Sequence, residues 1–139
     1  MLRNKKILIL GGRGFVGKNL LSKIDHHENS ITIVSRKYFL SNTDIILNDL
    51  TLYNKKIMKL FSNFDVIFNC SGETRNIKKM KNLHVNSQKK IINYLSKECI
   101  RKRKKVKWIQ LSSIGVFGFD NFHKNNFISE NTKKNPSNY

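Results

Sequence analysis

A chain of 139 residues has room for one domain, and 27 Lys or Arg against 9 Asp or Glu give it a formal net charge of +18 at pH 7. No apolar run approaches the roughly 20 residues that a membrane-spanning helix needs. Cys70 and Cys99 lack metal-ligand spacing, so we expect no metal site, no disulfide scaffold and a cytoplasmic protein with reduced thiols. The charge suggests nucleic acid as a partner, but the densest basic run, residues 101–105, falls between a predicted helix and a predicted strand. A solvated linker is therefore favoured over a nucleic-acid site.

Short apolar runs alternate with helical patterns along the chain. Strands are predicted at residues 5–10, 31–34, 44–47, 65–70 and 106–111. Helices are predicted to begin near Phe15, to lie within residues 52–61 and to span residues 76–99, while residues 118–139 have the composition of a loop. Strands separated by helices need crossover connections. The pattern therefore predicts an α/β fold with a doubly wound, parallel Rossmann-type sheet of about five strands and helices on both faces.

Three glycines lie between the first strand and the first helix. In the stretch ILILGGRGFVGKNL these are Gly11, Gly14 and Gly17. Glycine permits a tight turn and lets the backbone approach a pyrophosphate, whose negative charge is favoured at the start of a helix. Strand, turn and helix together predict a dinucleotide-binding site rather than a simple glycine-rich turn.

The end of the second strand bears on the choice of cofactor. An acidic residue about twenty positions after the glycines would bind the ribose 2′-hydroxyl of NAD, whereas an arginine would accommodate the 2′-phosphate of NADP. The sequence there is ITIVSRK, and Arg36, helped by Ser35, Lys37 and Arg13, would pair with a phosphate. NADP is favoured over NAD, although an arginine can occur there by chance in so basic a chain.

With the later segments FNCSGETRN and WIQLSSIGVFG, the chain resembles the extended short-chain dehydrogenase/reductases, specifically the NAD(P)-dependent sugar-nucleotide epimerases and dehydratases. The resemblance covers nearly all of the chain and implies an NAD(P)-binding Rossmann domain over residues 1–139. It also implies a role in nucleotide-sugar metabolism for cell-surface polysaccharide synthesis. The residues that it places on the cofactor are Gly11, Gly14, Phe15, Val16, Gly17, Asp49, Leu50, Cys70, Ser71, Gly72 and Asn86. Each of three residues has an alternative to cofactor binding when it is taken singly: Asp49 could cap a helix, Cys70 could lie in the core, and Asn86 could face water.

The resemblance also implies the catalytic groups. Ser113 in LSSIGVFG matches the family's serine, and Tyr139 in ISENTKKNPSNY matches the tyrosine of its Tyr-x-x-x-Lys motif. A tyrosine has a pKa of about 10 and needs a nearby cation for proton transfer at neutral pH, which a lysine one helical turn later supplies. The sequence ends before that lysine. We therefore expect the N-terminal part of a longer enzyme, inactive alone, whose full length would take a nucleotide-sugar substrate and could form a homodimer.

A second interpretation belongs to a different class of function. The net charge of +18 and the absent lysine are also compatible with a non-catalytic nucleotide- or RNA-binding module on the same fold. Steeply salt-dependent RNA binding without cofactor affinity would favour this interpretation.

Overall fold

Five parallel strands form one sheet in the computed structural model, which describes residues 2–36, 44–47, 54–73, 75–112 and 129–134. The strands are β1 (Lys6–Leu10), β2 (Ser30–Ser35), β3 (Ile45–Ile46), β4 (Val66–Asn69) and β5 (Lys107–Gln110). Their order across the sheet is β3-β2-β1-β4-β5, and every pairing is parallel. This confirms the predicted α/β, Rossmann-type sheet.

The helices are α1 (Phe15–Leu21), α2 (Lys55–Phe61), α3 (Ile77–Lys81) and α4 (Ser87–Lys102). Two of them begin at an asparagine whose Oδ1 accepts a backbone N–H: Asn54 from Ile57 at 3.0 Å and Asn76 from Lys79 at 2.9 Å. Within the described ranges, no helix is both long and apolar enough to cross a membrane.

A π-helical turn interrupts the single long helix predicted for residues 76–99. It covers Asn82–Asn86, between α3 and α4. The chain is helical without a break over residues 77–102, as the prediction for residues 76–99 expected, but the apolar spacing gave no sign of the π turn within it. Leu83 within it packs in the same cluster as Ile91 and Leu95 of α4.

The core has two layers, one on each face of β1. Successive side chains of a strand point to opposite faces. Leu8 and Leu10 therefore pack in the cluster that includes residues of α2 and α4, whereas Ile7 and Ile9 pack against residues of α1. All four are at most 1% exposed. A parallel strand that is covered on both faces has apolar residues at successive positions. The sequence ILIL therefore predicts a strand at the centre of the sheet.

The basic run at residues 101–105 is solvated in part, since Arg101, Arg103 and Lys105 are exposed, but two of its lysines bind distant residues. The Lys104 Nζ lies 3.1 Å from Oδ1 of Asp65, next to the amino end of β4. The Lys102 Nζ donates to the Ser62 hydroxyl at 2.7 Å. These bonds fix the end of α4 at the amino edge of the sheet.

Candidate functional site

Several predicted site residues meet at the carboxyl edge of the sheet. The strands β1, β2 and β4 run parallel, so the glycine turn after β1, Arg36 after β2 and residues 70–73 after β4 lie along one edge. The chain places β2 on one side of β1 and β4 on the other. Open α/β sheets bind ligands at the crevice where the strand order reverses in this way. The glycine turn therefore lies at the topological switch point.

Gly11 and Gly17 are required by the fold itself. Gly11 has a φ of +71°, and a Cβ there would lie 2.9 Å from the Cα and N of Ser71. A Cβ on Gly17 would lie 2.4 Å from the Gly11 carbonyl oxygen. One glycine thus lets the turn touch the segment after β4, and the other lets α1 pack on the turn.

Gly14 differs from these two glycines. It is exposed, and its φ of −71° and ψ of 170° are open to any residue. Among the described residues beyond its chain neighbours, a Cβ there would meet one atom within 4 Å, the Gly11 carbonyl oxygen at 3.2 Å. The fold hardly demands glycine at this point, and the space before it is open. A bare backbone facing open space fits a ligand that must approach closely, such as a pyrophosphate.

Two apolar side chains next to Gly14 are uncovered. Phe15 is 85% exposed and Val16 is 46% exposed, although they begin α1 beside the turn. Exposed large apolar groups are typical of a binding surface when they cluster. Their placement leaves both available to a ligand seated at the turn.

The cations near the end of β2 are not equivalent. Arg36 is exposed and follows the buried Ser35. The Arg13 Nη2, in contrast, lies 3.3 Å from Oδ2 of Asp44, whose side chain is only 2% exposed. Arg13 is thus engaged with a buried carboxylate, and Arg36 is the better candidate for a 2′-phosphate. Lys37 lies outside the described residues.

Asn69, which the sequence analysis did not select, organises the segment after β4. It is 2% exposed. Its Oδ1 accepts the Ser71 N–H at 3.2 Å and the Ser71 hydroxyl, and its Nδ2 donates to Oε1 of Gln110 at 2.9 Å. The bonds link the ends of β4 and β5. The sequence indicated this role only by placing a polar residue at the end of the apolar strand VIFN. A buried amide there needs hydrogen-bond partners.

The remaining predicted cofactor residues fall into two groups. The Cys70 N–H donates to the Leu10 carbonyl at 2.9 Å, and burial raises the pKa of its half-buried thiol. Gly72 is exposed at the same edge. Asn86 is exposed within the π-helical turn, where its Nδ2 donates to Oδ1 of Asn82 at 2.9 Å. The structure therefore brings residues 70–72 to the glycine turn, whereas the Asn86 side chain bonds to Asn82 within the π-helical turn.

Besides Lys37, four predicted residues lie outside the described part of the chain: the catalytic candidates Ser113 and Tyr139 and the adenine-binding candidates Asp49 and Leu50. The described chain reaches Ser112, and the Leu111 N–H donates to the Asn69 carbonyl at 3.4 Å. Across the described ranges, no group of three or more His, Cys, Asp or Glu side chains is placed to hold a metal ion.

The model of the NAD dependent epimerase/dehydratase family matches residues 7–139. The chain belongs to this family. No match was found among curated proteins.

Solved structures share the fold of this family member at low identity. ADP-L-glycero-D-manno-heptose-6-epimerase from Helicobacter pylori is 20% identical with a TM-score of 0.68, over 98% of this chain and 46% of that chain. A short-chain dehydrogenase from Leptospira borgpetersenii with bound NAD+ is 19% identical with a TM-score of 0.66, over 85% and 55%. MoeE5, solved with UDP-glucuronic acid and NAD, is 16% identical with a TM-score of 0.73, over 94% and 43%. The chain thus spans about half the length of these structures.

Proposed function

We propose that this chain is the NAD(P)-binding part of an epimerase, dehydratase or reductase that acts on a nucleotide sugar. The observation that carries the proposal is Gly14, a glycine that the fold hardly requires, facing open space at the switch point of the sheet. Family membership supports it, as do the NAD bound to two of the similar structures and the UDP-glucuronic acid bound to one. Polysaccharide synthesis and a homodimer stay predictions.

The residues of the chain divide the work of binding. Gly11 and Gly17 shape the turn, and Gly14 offers its bare backbone to the pyrophosphate. Residues 70–72 form the neighbouring wall of the crevice. A bound nicotinamide would supply hydride transfer. In this proposal the Ser113 hydroxyl bonds a substrate oxygen, and Tyr139 exchanges a proton with a sugar hydroxyl once a nearby cation lowers its pKa.

Within this proposal NADP is the preferred cofactor. Arg36 is exposed at the end of β2, and residues 35–43, SRKYFLSNT, carry no acidic side chain that would repel a 2′-phosphate. An arginine also pairs with phosphate through two parallel N–H bonds, which adds geometric specificity to the charge.

The test is titration of NADPH and NADH into the chain and its Gly14→Ala variant, followed by nucleotide fluorescence. The added methyl group would occupy the space where the backbone meets the pyrophosphate, so we expect Kd to rise about tenfold or more. The thermal midpoint should fall by no more than about 4 °C, since replacing glycine by alanine at a helix N-cap costs about 1 kcal/mol or less. Unchanged binding by Gly14→Ala would contradict the use of this turn.

A second candidate, an RNA-binding module, is favoured by the charge of α2, α3 and α4. Helices α2 and α4 contribute to one core cluster and so share one face of the sheet. Glu98 is the single acidic residue of these three helices, and it pairs with two of their cations. The basic residues are Lys55, Lys56, Lys59, Lys78, Lys79, Lys81, Lys89, Lys90, Lys97, Arg101 and Lys102. RNA affinity that falls steeply with salt, together with no binding of NADPH or NADH, would support this candidate over the first.

A further inference from the structure

A histidine outside the predicted site contacts the segment that follows β4. His84 lies in the π-helical turn and is half-buried. Its Nε2 is 3.1 Å from the Glu73 backbone N and 3.3 Å from the Glu73 carbonyl oxygen. One ring nitrogen cannot accept and donate at once. The shorter contact assigns Nε2 as the acceptor of the Glu73 N–H, which puts the ring proton of the neutral imidazole on Nδ1.

The segment of residues 70–73 is held at both ends by side chains. At its start Asn69 binds the backbone and hydroxyl of Ser71, and at its end His84 binds the backbone of Glu73. Between them Gly72 is exposed, and a Cβ there would lie 3.7 Å from the His84 Cε1, an ordinary contact distance. The segment belongs to no helix or strand, and a glycine within it adds conformational freedom. These two side chains therefore hold the segment together with the bond from the Cys70 N–H to the Leu10 carbonyl.

The π-helical turn is itself anchored to the core on either side of His84. Leu83 is buried in the cluster beneath α4, and Ser87 is buried at the start of α4. A π turn places one more residue in the helix than an α turn does, and such turns are frequent at functional sites. The imidazole is thus carried by a turn with buried neighbours to a segment that lies outside any helix or strand.

We propose that His84 is a positioning residue for cofactor binding, and this inference rests on the proposed function. Its imidazole holds residues 71–73 as the wall that touches the glycine turn at Ser71, where a Cβ on Gly11 would come within 2.9 Å. A wall that is already ordered adds no ordering penalty when the nucleotide binds. Without the His84 bond, residues 71–73 would adopt the binding conformation for only a fraction of the time. The Kd for the nucleotide would then rise by the inverse of that fraction.

The experiment compares His84→Leu, which removes the acceptor, with His84→Gln, whose amide oxygen restores one at a similar reach. Kd for NADPH and NADH, the thermal midpoint and hydrogen exchange of the amides of residues 71–75 are measured for each variant. Loss of one side-chain hydrogen bond to the backbone predicts a rise of about five- to tenfold in both Kd values for His84→Leu. We also expect faster exchange at Glu73. The His84→Gln variant should stay within about threefold of the original chain.

A matched control is His26→Leu. The His26 Nε2 likewise contacts the backbone, at 3.1 Å from the Leu21 carbonyl oxygen, but His26 follows α1 and precedes β2, at the amino edge of the sheet. Its loss should leave both Kd values unchanged. Two results would overturn the inference: unchanged affinity in His84→Leu, or equal loss in His84→Leu and His84→Gln. If the original chain binds neither nucleotide, the proposed function fails and the inference fails with it. If the original chain binds a nucleotide tightly and His84→Leu binds it equally well, only the inference about His84 is refuted.

Discussion

Replacing Gly17 by alanine should destabilise the chain by forcing one part of the backbone against another. The new Cβ would lie 2.4 Å from the Gly11 carbonyl oxygen, 1.0 Å inside the 3.4 Å at which ordinary van der Waals contact begins. It would also lie 2.6 Å from the Gly12 Cα. Both neighbours are main-chain atoms, so no side-chain rotation relieves the overlap. Either α1 or the glycine turn must move.

The expected loss in the free energy of unfolding follows from two opposing effects. Overpacking costs about 1–3 kcal/mol, and the upper end applies here because only backbone can yield. Alanine regains about 1 kcal/mol through its higher helix propensity. The net loss is about 2 kcal/mol out of a total of roughly 5–15 kcal/mol. For a chain of this size, the thermal midpoint should fall by about 8 °C.

Circular dichroism during heating and a urea titration would measure this loss, with Gly14→Ala as the matched control. The control makes the same change three residues earlier, where the Cβ meets one carbonyl oxygen at 3.2 Å. Its expected loss is about 1 kcal/mol or less. If the two variants melt within about 2 °C of each other, the argument from backbone contact at Gly17 is refuted.

Three further predictions concern charge and reactivity. Arg36→Asp should weaken NADPH about tenfold or more and spare NADH, and equal effects would refute the 2′-phosphate assignment. The Lys6 N–H, with the Lys104 ammonium, holds the pKa of Asp65 below its ordinary value. A carboxyl whose pKa is lower in the folded than in the unfolded chain stabilises the fold at pH values above its unfolded pKa of about 4. This stabilisation is lost as the pH falls through the folded pKa. Asp65→Asn should therefore cost stability at pH 7 but less at pH 2 in urea titrations, and a difference independent of pH would contradict this. The Cys70 thiol, whose pKa burial raises, should react slowly with iodoacetamide at pH 7 and more slowly with NADPH, and a rate indifferent to nucleotide would remove Cys70 from the site.

The sheet could be predicted because its strands carry their own signal. The run ILIL is apolar at successive positions, since β1 is covered on both faces, and the glycines after it mark its end. The π-helical turn carried no such signal. Leu83 continues the apolar spacing of α4, so the extra residue is invisible to a pattern of buried positions.

The site could be predicted in part for a similar reason. Gly11, Gly14 and Gly17 follow a local motif, whereas the roles of Asn69 and His84 depend on partners distant in sequence. Asn69 bonds a residue 41 positions away, and His84 one 11 positions away. The same limit applies to Arg13, which was expected to assist a 2′-phosphate but pairs with a carboxylate 31 positions away. A local sequence pattern does not show which residues of distant segments will lie opposite each other.

The π-helical turn of Asn82–Asn86 also sets the rotational phase between the two helices that it joins. An α-helix rotates about 100° per residue, so one additional residue turns α3 by about that angle relative to an uninterrupted helix. In the present phase α3 buries none of its residues, and Ile77 is 83% exposed. Deleting a single residue from the turn would rotate α3 back by that angle and turn a different side of it toward the rest of the chain. A length change of one residue is enough to exchange the side chains on that face of the helix.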